Sequence, residues 1–127
     1  MIKYTQDITI PCYDTDASWR LKPASFMNYA QEAAGCHAVY LGFGYDDLIA
    51  TNTAWILSRV HVVFTDTPKW KDRITLTTWH KGPERLFFLR DFILTDDRGK
   101  ERVKATTSWL VLNLETRRLV RDPKLME

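Results

Sequence analysis

The spacing of apolar residues changes period once along the chain. From residue 26 it is helical: Phe26, Ala30, Ala33, His37 and Leu41 fall on one stripe, and Asn28, Glu32 and Gly35 lie opposite. Pro23 suits a first helical turn, where its fixed φ and missing N–H cost nothing. Gly42 and Gly44 end the pattern. A helix over residues 23–41 is therefore expected, with a further short turn over 45–50. The stripe is rich in small residues, so the helix can approach closely whatever it packs on. Ahead of it, residues 1–10 alternate loosely and predict a strand stopped by Pro11, and residues 12–22 are polar and irregular.

Beyond the short turn the period is two. Residues 54–64 place Ile56, Val60, Val62 and Phe64 on one face and Arg59 and His61 on the other. Residues 73–81 alternate Thr75, Thr77 and Trp79 against Ile74, Leu76 and Thr78. Residues 86–95 are apolar on both faces, as in a central strand. A turn at Asp96, Asp97, Arg98 and Gly99 leads to a strand over 103–113, and Leu119 and Val120 form a last short segment. The order is strand, long helix, then four or five antiparallel strands. A helix in that position buries its stripe on the sheet made by the later strands. The expected architecture is one α+β domain over residues 1–127, with five to six strands wrapping a central helix: the hot-dog fold.

Composition narrows this picture. A chain of 127 residues is one domain of ordinary size that buries a real core without staples. Five Trp, five Tyr and six Phe suit a sheet-rich protein with a large apolar interior or cleft. A formal net charge of +2 is too small to argue for nucleic acid. Cys12 and Cys36 form no metal-binding or disulfide pattern, which points to reduced thiols and a cytoplasmic location. No stretch has the length and apolarity of a signal sequence or a bilayer span. Neither cofactor nor metal is implied.

The segment Met27-Asn28-Tyr29-Ala30-Gln31-Glu32-Ala33-Ala34 resembles the central-helix region in the N-terminal half of acyl-acyl-carrier-protein thioesterases. The resemblance continues through Asn52-Thr53-Ala54-Trp55-Ile56-Leu57-Ser58-Arg59, then Arg90-Asp91-Phe92, and closes with Thr107-Ser108-Trp109 and Asn113-Leu114-Glu115-Thr116-Arg117-Arg118-Leu119. It covers nearly the whole chain in order. It implies hydrolysis of fatty acyl thioesters of acyl carrier protein, or of coenzyme A, to free fatty acid and carrier thiol. Members of that family are tandems of two hot-dog domains, and this chain corresponds to the first. Their catalytic Asp, Asn and His stand before the helix of the second domain. The matching loop here, residues 14–22, keeps carboxylates but has no Asn and no His. More loosely, Tyr13-Asp14-Thr15-Asp16 before a helix bearing Gln31-Glu32 is similar to single-domain acyl-CoA thioesterases. In those, the aspartate before the helix, here Asp16, is catalytic.

These residues define the candidate chemistry. A carboxylate attacks a thioester or activates water, and unpaired N–H groups at a helix N-terminus hold an oxyanion. Asp16 is the expected catalytic carboxylate, with turn formation as its other reading, and Glu32 is the second candidate. Asn28, Gln31, Trp55 and Arg59 are expected at the substrate. Arg117, Arg118 and Arg121, with Lys124 beyond them, offer positive charge to acidic acyl carrier protein or to coenzyme A phosphates. His37, central in the apolar stripe, reads as a core histidine. Pairing of strand 54–64 across a two-fold axis predicts a homodimer. Two other readings stand beside the hydrolase: a non-catalytic acyl-binding half, and a dehydratase or isomerase that uses His37 as base.

Overall fold

The computed structural model describes residues 2–120. Strand β1 (Lys3–Thr9) leads through a 3-10 turn (Cys12–Asp14) into helix α1 (Pro23–Leu41) and short helix α2 (Tyr45–Ile49). Strands β2 (Thr53–Phe64), β3 (Arg73–Glu84), β4 (Phe87–Asp96) and β5 (Glu101–Asn113) follow. They form one antiparallel sheet in the order β1-β3-β4-β5-β2. This is the expected α+β hot-dog arrangement, with five strands. The sixth expected segment makes a single bridge, Leu119 to Leu112, with the Val120 N–H donating to the Val111 carbonyl at 2.8 Å.

Helix α1 stops where glycine permits it. Gly42 adopts φ 87°, and its N–H reaches the carbonyls of Ala38 and Val39. Gly44 is needed for close approach, because a Cβ there would sit 2.6 Å from Val39 Cγ2. The chain can thus fold α2 back against the end of α1.

The core lies under the first half of α1. Phe26, Ala30 and Ala33 are buried against Leu76, Phe92, Leu94 and Val103, and Ile10 and Leu21 close the end of the cluster. Full burial of a side chain such as Phe26 contributes about 1.5–3 kcal/mol. The entering loop is fastened to the same half of the helix. Asp14 accepts hydrogen bonds from Ser25 Oγ at 3.1 Å and from the Tyr29 hydroxyl. Desolvation, then this bond to Asp14, pushes the Tyr29 hydroxyl well above the usual tyrosine range.

Two sheet details differ from the expected alternation. In β2 the register with β5 shifts between Leu57 and Arg59. The extra residue, Ser58, moves the inward face from odd to even positions. Trp55 and Leu57 therefore share a face with Val60, Val62 and Phe64, while Ile56 turns to the other side. In β4, one apolar face carries a charge: Phe88, Phe92 and Leu94 are buried, and so is Arg90 between them.

Candidate active site

The second half of α1 meets the sheet through His37, which reaches Arg90 on β4, but leaves a gap along Ala34, Gly35 and Ala38. These three residues are small, and Ala34 also belongs to the buried core. They roof a pocket of about 440 Å³ whose floor and walls come from β2, β4, β5 and α2. Trp55, Phe88, Trp109 and Leu48 make it mainly apolar. The size lies within the range of small-molecule sites.

The aromatic walls are held in place. Trp55 Nε1 donates to the Phe43 carbonyl at 2.8 Å, and its ring meets Phe88 edge-on at 5.3 Å. Trp109 Nε1 donates to Thr107 Oγ1 at 2.8 Å, and that hydroxyl in turn donates to the Arg90 carbonyl at 3.0 Å. Such bonds fix amphipathic rings without consuming their apolar faces.

Polar groups stand at two depths. Gln31 and Glu32 are exposed on α1 at the rim. In the lining Arg90 is buried and His80 half-buried. Arg90 is only 6% exposed; its Nη1 lies 2.8 Å from His37 Nδ1 and 3.2 Å from Thr78 Oγ1. Desolvation lowers the guanidinium to about 10, which leaves it charged at neutral pH. Burial, then the nearby Arg90 charge, holds His37 and His80 below the ordinary histidine value. With Arg90 donating to Nδ1, the neutral His37 carries its proton on Nε2, and that atom has no partner.

The structure brings together only some of the residues expected at a site. Gln31, Glu32 and Trp55 line the pocket. Asn28 is exposed one turn before Glu32 and outside the lining. Arg59 is exposed beyond the β2 bulge, its guanidinium 5.5 Å from the Phe87 ring. Asp16 is exposed in the loop, where Oδ1 accepts from the N–H groups of Ser18 at 2.8 Å and Arg20 at 3.1 Å. That is the turn-forming arrangement, and it is Asp14, not Asp16, that is bonded to α1. His37 is 1% exposed and lies off the lining, behind Arg90, stacked on Tyr4 and near Tyr40. A base for dehydration or isomerisation has to touch substrate, and His37 is placed away from the pocket.

Arg117 and Arg118 are exposed in the turn after β5. The strand register puts that turn at the same end of the sheet as the pocket, because Trp55 pairs with Val111 and Phe88 with Trp109. Lys69 and Lys71, before β3, lie at the other end. Arg121 and Lys124 fall outside the described residues. Among the described residues no group of three or more His, Cys, Asp or Glu is placed to hold a metal ion. No helix there is long and apolar enough to cross a membrane.

Arg90 and His80 are among the pocket residues that the site expectation did not include. Arg90 had a legible signal: counting by two from Phe92 places it on the inward face. His80 follows Thr78 in the same way on β3.

Comparison with known proteins agrees with this geometry. The chain is 29% identical over 125 residues to the chloroplastic oleoyl-acyl carrier protein thioesterase of Coriandrum sativum, covering 93% of this chain and 34% of that protein. An acyl-ACP thioesterase from Bacteroides thetaiotaomicron superposes with a TM-score of 0.90 at 29% identity, over 94% of this chain and 49% of that one. A 1,4-dihydroxy-2-naphthoyl-CoA thioesterase from Synechocystis shares the fold, with a TM-score of 0.84 at 16% identity over 97% of this chain and 91% of that one. The chain thus spans a third of the curated relative's length and half of the Bacteroides chain. The model of the acyl-ACP thioesterase N-terminal domain matches residues 1–124, and the chain belongs to that family.

Proposed function

We propose that the protein acts in the hydrolysis of fatty acyl thioesters of acyl carrier protein or coenzyme A, releasing free fatty acid and carrier thiol. The observation that carries this reading is the apolar pocket under the second half of α1, with a carboxylate, Glu32, at its rim. The names of the relatives support it. The acyl chain lies along Trp55, Phe88 and Trp109, and burial of each methylene contributes about 0.8 kcal/mol. The thioester stays at the rim. Glu32 takes a proton from water as the water attacks the carbonyl carbon, and the Gln31 amide donates to the carbonyl oxygen. The C–S bond then breaks, and the departing sulfur takes the proton. Asp16 keeps to its turn. Arg117 and Arg118, at the pocket's end of the sheet, attract an acidic carrier protein.

Edge strand β2 leaves Ile56, Leu57, Val60 and Val63 40–47% exposed. An open, apolar edge of this kind favours a homodimer that extends the sheet. The free thiols of Cys12 and Cys36 suit a reducing cytoplasm.

One assay tests the reaction. Purified protein releases thiol from acyl-CoA or acyl-ACP, Glu32→Gln loses most of that rate, and Asp16→Asn retains it. A second reading, an acyl-binding half without its own catalysis, is favoured by the absence of Asn and His from residues 14–22. A protein that binds acyl chains yet releases no thiol establishes that reading and overturns the first. Light scattering that gives a monomer removes the homodimer.

A further inference from the structure

Arg90 is an unusual group to find in the lining of an acyl pocket. Its burial places a charge where water does not solvate it, and such charges are ordinarily paired. Among the described residues it forms no ion pair. The neighbouring carboxylate on β4, Asp91, is on the other face of the strand, bonded to Thr106 at 2.9 Å and to Lys81 at 3.5 Å. Glu32 shares the pocket but stands at its exposed rim, without an ion pair to Arg90. The partners Arg90 does have are neutral: His37 Nδ1 and Thr78 Oγ1, both on Nη1. Among the described residues Nε and Nη2 make no hydrogen bond, and neither is among the buried atoms that lack a partner, which leaves both some accessible surface. Arg90 itself lines the pocket. The remaining donors of the guanidinium are therefore open to an occupant.

A plain hydrocarbon tail gives those donors nothing. An oxygen on the tail supplies the missing acceptor, and a carboxylate also neutralises the charge. We infer that the pocket selects acyl chains that carry an oxygen function, a hydroxyl or a carboxylate, at the end of the chain remote from the thioester, with Arg90 as the group that receives it. The inference rests on the proposed acyl pocket and specifies its substrate class. Thr78, His37 and the Thr107 hydroxyl on the Arg90 carbonyl are positioning groups, which hold the guanidinium at one place on the sheet face next to Phe88 and Trp109.

Binding to the intact protein tests this, read by the fluorescence of its tryptophans, two of which line the pocket. The probes are methyl dodecanoate, methyl ω-hydroxydodecanoate and monomethyl dodecanedioate. All three have a neutral ester head, so only the far end differs. The two oxygenated esters should bind about tenfold or more tighter than methyl dodecanoate, as expected for a hydrogen bond to a charged donor. Arg90→Met should abolish that preference and leave methyl dodecanoate bound as well or better, and Arg90→Lys should restore part of it. If Arg90→Met does not fold, the wild-type ranking and Arg90→Lys decide alone. Equal binding of all three esters, or tighter binding of methyl dodecanoate, overturns the inference while the acyl pocket stands. Failure of every ester to bind overturns the acyl pocket as well.

Discussion

The first half of α1 packs directly on the sheet; the second half touches it through His37 and borders a pocket along Ala34, Gly35 and Ala38. The first half presents Phe26, Ala30 and Ala33 to a closed cluster that includes Leu76, Phe92 and Leu94. The second presents Ala34, Gly35 and Ala38 to a gap bordered by Trp55, Phe88 and Trp109. Small residues occur in both, so size alone does not make the gap. The difference lies in what surrounds them. In the first half Phe26 supplies the bulk, and the Asp14 latch to Ser25 and Tyr29 clamps the entering loop down. In the second half the large side chain that the helix turns inward, His37, goes to Arg90 and Tyr4 and stays off the pocket lining. The aromatic residues opposite are tied by hydrogen bonds to backbone and threonine, so they do not collapse upward. One helix thus separates stability from ligand access along its length.

Substitutions in the two halves should behave differently. Phe26→Ala removes the largest apolar group that α1 gives the core and should cost about 3–5 kcal/mol, measured by urea unfolding. A loss below about 1 kcal/mol would mean the first half is not closed. Tyr29→Phe removes the donor to Asp14 and should cost about 1–2 kcal/mol with ligand binding intact, read from the same unfolding curves and a titration.

A pH series sharpens the contrast. His37 and His80 belong to the second half's surroundings, and both have folded pKa values below the ordinary value of about 6.5. The unfolded chain then binds more protons, so their contribution is fully present above about pH 6.5 and is lost as pH falls below it. The unfolding midpoint should drop between about pH 7 and about pH 5.5, and His80→Phe should flatten that drop. The smallest effect is expected at Gly35, where an added Cβ meets nothing within 4 Å. Gly35→Ala should stabilise by up to about 1 kcal/mol through helix propensity alone, seen as a raised thermal midpoint.

Much of this was legible in the sequence. The two periods gave the long helix, its stripe and the strands, because each face of those elements meets a different environment. The face of β2 is not legible between Ile56 and Val60, because the bulge at Ser58 leaves no mark in the alternation. The pocket was half legible. Gln31, Glu32 and Trp55 were expected there and line it, whereas Asp16 stands in a turn. Which aromatic residues border the pocket depends on the gap beside Ala34 and Ala38, a distance between elements that no local pattern encodes. Arg90 could be placed on the inward face by counting, but its lack of an ion pair among the described residues depends on where Asp91 and Glu32 point.

The most direct test is calorimetric titration of a non-hydrolysable dodecanoyl-pantetheine amide into wild type, Gly35→Trp and Ser25→Ala. Gly35 lines the pocket and is exposed, and an added Cβ meets nothing within 4 Å, so an indole is introduced at the pocket without disturbing the core. Wild type and Ser25→Ala should bind with a negative heat-capacity change, the mark of apolar burial, and Gly35→Trp should bind about tenfold or more weakly. Unchanged binding by a folded Gly35→Trp, or loss of binding in Ser25→Ala alone, would contradict the assignment of the acyl site to the second half of α1.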